Sequence, residues 1–194
     1  VATHPRFGIQ VVANDVVHNE HNALIRSFTI VNQRAEPTAG KLVLSQQFRI
    51  NESRRGDTGM YDPRVQAIVH YKGATTLLVN ATHNGAPFSE FNIGLFGIEG
   101  KEGTYHDAQD GVLEGNPIEH GSVDSVIAMP FTLKKHEKTT VDYWVACGQT
   151  MAEAHDLNAL IRDETPAHLQ QSSQNYWSAW TEKEDISMTH SLPF

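Results

Sequence analysis

Eleven histidines and a single cysteine are the side chains of this 194-residue chain best suited to hold a metal or act as nucleophiles. Their spacing argues against both uses. His18 and His21 are separated by two residues, and His155 and His168 by twelve. Neither pair is accompanied by a cysteine pair, and no His-Glu-x-x-His helix motif occurs, so the histidines read as surface side chains and no metal is expected. Cys147 follows Trp144-Val145-Ala146 at an apolar strand end, where a thiol is expected to be buried and inert. No Gly-x-Ser-x-Gly elbow positions a serine, and no Gly-x-x-x-x-Gly-Lys-Ser/Thr loop cradles a phosphate. No cofactor is called for.

The carboxylates are more suggestive. Asp107, Asp110 and Glu114 raise calcium, but the frame ending at Asp110-Gly111 would make ligands of His106 and Ala108, which fails the EF-hand pattern. Short acidic side chains in such a stretch more often cap turns by accepting from backbone N–H groups. A glycosidase needs two carboxyl groups flanking a sugar, and nothing in the spacing selects two of the 23 acidic residues. Asn51-Glu52-Ser53 and Asn80-Ala81-Thr82 match the glycosylation triplet, a pattern frequent by chance. Tyr176, Trp177 and Trp180 lie near the end of the chain, where little polypeptide follows to cover them. They either pack back on the body or form a docking face, since large apolar patches rarely face water.

Positioning these groups falls to a β-rich body. Leu42, Leu44, Gln46, Phe48 and Ile50 alternate with Lys41, Val43, Ser45, Gln47 and Arg49, the period of a half-buried strand. Around Leu24–Val31 the alternation blurs, as for a strand covered on both faces. Further strands are expected at 9–17, 65–71, 75–81, 88–96, 122–133 and 139–147. Turn chemistry separates them at Glu36-Pro37, Lys72-Gly73, Asn84-Gly85 and 134–138. About eight strands without intervening helices predict an antiparallel sandwich. Between Gly97 and Gly121 the glycines crowd and periodicity fades, and so long an ordered loop is usually functional or interfacial.

After Gly148 the period turns helical. Thr150-Met151-Ala152-Glu153 forms a capping box, and Ala154, Leu157, Leu160 and Ile161 mark one helical face. Thr165-Pro166 opens a second helix, with threonine as N-cap and proline at the first helical position. The expected organisation is a β-sandwich over 1–148, a two-helix linker over 149–186 and the start of a connection at 187–194.

A net charge of −8 leaves no basic surplus to neutralise phosphates, which speaks against nucleic acid and anionic lipid as partners. No apolar run approaches the ~20 residues that span a bilayer. A lone cysteine leans mildly towards a reducing, cytoplasmic setting. The chain opens at Val1 rather than Met, which fits a trimmed leader or a longer parent.

Several ordered motifs carry a resemblance. They are Tyr61-Asp62-Pro63-Arg64 continuing through 67–73, the run from Gly100 to Gly111, the run from Leu113 to Ser125, Asp142 to Gly148, and Asn175 to Trp180. Together they resemble the N-terminal domain of bacterial and archaeal family 15 glycoside hydrolases, the glucoamylase and glucodextranase-like enzymes. The resemblance implies a β-supersandwich, linker helices, and then a separate (α/α)6 barrel that cleaves α-glucosidic bonds with inversion through two glutamates. Those glutamates belong to the barrel, so no residue here inherits a catalytic role. It also implies that the sandwich lacks earlier N-terminal strands, so its open sheet edges invite a homodimer.

The reading that follows is a noncatalytic structural domain whose partner is the barrel of the same parent chain, inactive by itself. Asp107, Asp110, Asn116, His120 and Asp124 are the candidates for an interdomain loop, with an edge of the parent's substrate pocket as the alternative role. Tyr176, Trp177 and Trp180 are the candidate docking aromatics. A carbohydrate-binding module, stacking exposed aromatics on sugar faces, is the alternative. A complete small enzyme is a third and more remote one.

Overall fold

The computed structural model describes residues 1–52 and 55–188. Thirteen strands run through the described residues: β1 (Ala2–His4), β2 (Ile9–Val17), β3 (Ala23–Asn32), β4 (Thr38–Gln46), β5 (Asp57–Asp62), β6 (Ala67–Lys72), β7 (Thr75–His83), β8 (Ala86–Pro87), β9 (Glu90–Ile98), β10 (Lys101–Glu102), β11 (Ile118–Gly121), β12 (Val123–Leu133) and β13 (Lys138–Gly148). Two helices follow, α1 (Met151–Glu164) and α2 (Pro166–Met188). The strands form two antiparallel sheets. The larger has nine strands in the order β1-β2-β3-β13-β7-β6-β5-β11, with β8 paired to β7; the smaller runs β10-β9-β12-β4. The expected antiparallel sandwich followed by two helices is what the chain forms.

The large sheet is the middle of three layers, and its strands show why. On β13, Val141, Tyr143 and Val145 face the small sheet, while Trp144 and Ala146 face the helices. On β7, Val79 and Ala81 face the small sheet and Leu78 faces the helices. A strand buried on both sides loses its polar face, so these segments read as nearly continuous apolar runs. Ile127 in the sheet–sheet core is wholly buried, as is Ile161 of α1 in the helix-side core. Truncating such a side chain to alanine costs about 2–5 kcal/mol through lost transfer energy and a residual cavity.

Each core contains one buried polar network. Between the sheets, Ser125 Oγ donates to Gln46 Oε1 at 2.9 Å and lies 2.8 Å from His70 Nε2. With its proton committed to Gln46, the serine accepts from the imidazole, which fixes the neutral His70 with hydrogen on Nε2. On the helix side, Asn158 Oδ1 accepts from Trp144 Nε1 at 3.0 Å and Asn80 Nδ2 at 3.1 Å. These contacts seat α1 on β13 and β7. Asn80 is only 1% exposed, so its glycosylation triplet is closed in the folded chain.

Several boundaries differ from the sequence reading. Strand β4 ends at Gln46, and Ile50 lies in a short 3-10 turn. Val65 and Gln66 belong to a turn, with Gln66 at φ 52°, so β6 begins at Ala67. The strand expected at 88–96 is shifted to β9. The stretch from Gly97 to Gly121 is no plain loop, because it holds β10, a 3-10 turn at Asp107–Asp110 and β11. The helices do more than link, since Ala154, Ile161 and Leu169 complete the second core. Of the 187–194 connection, residues 189–194 lie outside the described residues, as does Ser53 of the first glycosylation triplet.

Candidate functional site

The segment that carries most of the candidate residues lies across the outer face of the small sheet. On β12, Val123, Ser125 and Ile127 point into the sandwich, so Asp124, Val126 and Ala128 point out, yet all three are buried. Residues 103–117 are what cover them. The cover is fastened at three points.

The first is Asp124, which is fully buried. Its Oδ2 accepts from Thr104 N at 2.7 Å and from Thr104 Oγ1 at 2.9 Å, while Oδ1 has no hydrogen-bond partner. Burial pushes the Asp124 carboxyl above the usual carboxylate range, and the Thr104 bonds pull it partly back. Two glycines make room for this clamp. A Cβ on Gly94 would sit 2.8 Å from Thr104 Cγ2, and one on Gly103 would sit 2.8 Å from Asp124 Oδ2.

The second point is Asp107. Its Oδ2 accepts from Asn92 Nδ2 at 2.7 Å and from Glu114 N at 3.0 Å. Asn116 N then donates to Asn92 Oδ1 at 3.0 Å, and Asn116 Nδ2 donates to Ile93 O at 2.7 Å. Pro117 O accepts from Tyr61 N of β5 at 2.8 Å, so the same stretch bridges the small sheet to the large one. The third point is weaker. Asp110 Oδ1 accepts from Val112 N at 2.8 Å within its own exposed turn, and Lys41 Nζ donates to Gly111 O at 2.7 Å. His120 stands apart on β11, exposed, with Nδ1 2.9 Å from Thr58 Oγ1.

Thus Asp107, Asn116 and Asp124 share one stitched seam, while Asp110 and His120 lie at its margins. Beside the seam is an open cleft of about 630 Å3 lined by Asn92, Gly94, Lys101, His106, Asp107 and Glu114, among others. His106 meets Glu102 at its rim. Asn92 links Asp107 to the Asn116 backbone, and the remaining bonds of Asp107 and Asn116 go to the backbone at Glu114 and Ile93. The arrangement is suited to shaping a surface, and it presents no nucleophile paired with a base.

Past Tyr61, the Tyr61-Asp62-Pro63-Arg64 motif turns away from the seam, where β5 ends beneath α1. Arg64 donates to Asp62 from Nε at 3.0 Å and from Nη2 at 2.6 Å, and His155 Nε2 of α1 lies 3.3 Å from the same carboxylate. The Arg64 bonds hold the buried Asp62 carboxyl below the usual carboxylate range. His18 and His21 stack at 4.8 Å rather than converge on a point. Cys147 is half-buried, and burial pushes its thiol up. Among the described residues, no group of three His, Cys, Asp or Glu is placed to hold a metal ion.

The candidate aromatics occupy a second surface. Helix α2 is anchored by Leu169, Gln170 and Ser173, with Gln170 Nε2 donating to Asn14 O of β2 at 3.0 Å. Residues 174–182 are all exposed. Trp177 and Trp180 are each 54% exposed, and Tyr176 meets Trp177 edge-on at 5.2 Å. They do not pack back on the sandwich. Sequence reasoning missed the His70 and Asn158 networks, although an asparagine inside the apolar run of β7 was a usable signal for the second.

No family model matches this chain, and no curated protein matches it in sequence. Solved structures do match. A bacterial glucoamylase complexed with acarbose superposes over 92% of this chain with a TM-score of 0.71 and 12% identity. This chain spans 26% of that glucoamylase. A putative kojibiose phosphorylase from the human microbiome aligns over 88% of this chain and 21% of its own, with a TM-score of 0.44 and 12% identity. The resemblance carried by the sequence motifs is therefore found again in the fold, which is that of part of a glucoamylase.

Proposed function

We propose that this chain is a noncatalytic structural domain of a glycoside hydrolase, a glucoamylase-like parent whose α-glucosidase chemistry resides in a separate helical barrel. The observation that carries this reading is the asymmetry of the match: nearly all of this chain corresponds to about a quarter of the glucoamylase. The seam of Asp107, Asn116 and Asp124 then supports an interdomain surface, with Asp110 and His120 at its edges. The exposed Tyr176, Trp177 and Trp180 form a second docking face. Glucose release from maltooligosaccharides or dextrins by the purified chain, freed of host enzymes, tests the reading. No release is expected, and clear turnover overturns it.

A second reading is supported by the three exposed aromatics of α2, which could stack on sugar rings as in a carbohydrate-binding module. Retention on a starch or dextran resin that is lost in Trp177→Ala and Trp180→Ala favours it. Pairing of two copies is supported only by sheet edges: β4 borders the small sheet over nine residues, and β1 and β11 border the large one. A single monomeric species across a wide concentration range in sedimentation rules that pairing out.

A further inference from the structure

Asn84-Gly85 is the one Asn-Gly step in the sequence. It forms the two-residue turn between β7 and β8, with Asn84 at φ 53° and Gly85 at φ 78°, the left-handed pair that a type I′ hairpin requires. The turn is exposed, and the hairpin behind it is short. Only two residue pairs hold it, Thr82 with Pro87 and His83 with Ala86, and Pro87 has no N–H to donate. Opening the turn therefore breaks little.

The surroundings of the Asn84 amide are equally permissive. His83 Nδ1 lies 3.1 Å from Pro130 O, so in the neutral ring it carries the hydrogen and Nε2 is the acceptor. That Nε2 lies 2.7 Å from Thr139 Oγ1 and 3.2 Å from Asn84 Nδ2. The imidazole is thus what the Asn84 amide nitrogen meets, and among the described residues none donates a hydrogen bond to its side-chain oxygen. None of the other ten asparagines precedes a glycine, and Asn32, Asn80, Asn92 and Asn158 are in addition buried and hydrogen-bonded.

We infer that Asn84 is a spontaneous modification site, converting through a cyclic imide to aspartate and isoaspartate. The Gly85 nitrogen attacks Asn84 Cγ, forming the N–Cγ bond while the Cγ–Nδ2 bond breaks. The proton lost from the Gly85 nitrogen is balanced by one gained by the departing amide nitrogen, which leaves as ammonia. Water then opens the imide at either carbonyl. Gly85 is needed because it has no Cβ to hinder its nitrogen as it approaches Asn84 Cγ. Opening at the backbone carbonyl gives isoaspartate and inserts an extra methylene into a turn that has no slack. Phe88, four residues on and 3% exposed, packs edge-on against Tyr61 and Phe91, so loosening of the hairpin reaches the sandwich core.

The test is to incubate the folded 194-residue chain at neutral to mildly alkaline pH and map its peptides over time. Isoaspartyl carboxyls are labelled by a methyltransferase with radioactive S-adenosylmethionine. Label and the mass gain of NH2 replaced by OH are expected first in the peptide carrying Asn84, and both should be lost in Asn84→Ser. Conversion of another asparagine ahead of Asn84 overturns the inference. So does an Asn84 that stays intact in the folded chain while converting in the same chain held in urea.

Discussion

Thr104 and Asp124 are joined twice, the threonine giving both its backbone N–H and its hydroxyl to one carboxylate oxygen. The pairing fastens a polar segment over an outward sheet face that would otherwise expose Val126 and Ala128. Bonds to an ionised, buried acceptor are worth about 1.5–3 kcal/mol each before desolvation is counted. Asp124→Ala should therefore destabilise the chain by about 2–3 kcal/mol and speed hydrogen exchange across 103–117. Thr104→Val, which keeps the N–H, should cost about 1 kcal/mol by the value of a single hydroxyl bond. Chemical denaturation with exchange mass spectrometry reads both.

Gly94→Ala and Gly103→Ala should each cost about 1–3 kcal/mol, as overpacked core positions do. Gly103 should be the more sensitive. Its Cβ would strike Asp124 itself, and its φ of 126° is strained for any side chain. Equal melting temperatures for wild type and the Gly103 variant would contradict the clamp geometry.

His70 sets an acid limit. It is 1% exposed, and burial lowers its pKa from 6.5 to about 4. The unfolded chain binds a proton that the folded one refuses, so this stability is complete above pH 6.5 and drains as pH falls towards 4. The loss is about 3 kcal/mol at most, from the energy of a pKa unit. Denaturation midpoints between neutral and mildly acid pH should fall accordingly in wild type and much less in His70→Gln.

Asn158→Ala should cost about 3 kcal/mol, because it leaves the buried Trp144 and Asn80 donors without their shared acceptor. Retained stability would mean that α1 is held by its apolar face alone.

Trp177→Ser and Trp180→Ser should change stability by no more than about 0.5 kcal/mol, the usual range for exposed substitutions away from special features. A larger drop in the thermal melt would show that these rings already pack on the body.

The legible parts of the fold were those in which one physical signal acted locally. β2 was read with its observed ends because Gly8 and His18-Asn19 bound a body rich in β-branched residues. The Thr150 cap was read from its spacing, and Glu153 N does donate to Thr150 Oγ1 at 3.2 Å, although the glutamate reaches Gln149 N at 2.9 Å rather than the cap's own N–H. Strand β5 was invisible because Asp57-Thr58-Gly59-Met60-Tyr61-Asp62 reads as a turn. Its extended shape comes from ladder bonds to β6 and β11, far apart in sequence. Asp124 was picked out as an interdomain-loop candidate, but its complete burial depends on chain twenty residues away. The aromatics of α2 were placed on a helix correctly, while their exposure depended on where that helix leaves the sheet.

The seam at 103–117 and the aromatic stripe of α2 lie on opposite outer layers, one beyond the small sheet and the other beyond the large. A convex neighbour resting on one of them cannot also touch the other. Whatever grips both must wrap the sandwich like a hand around a book, so cross-linkers tethered at Trp180 and at Asp110 should capture different parts of it.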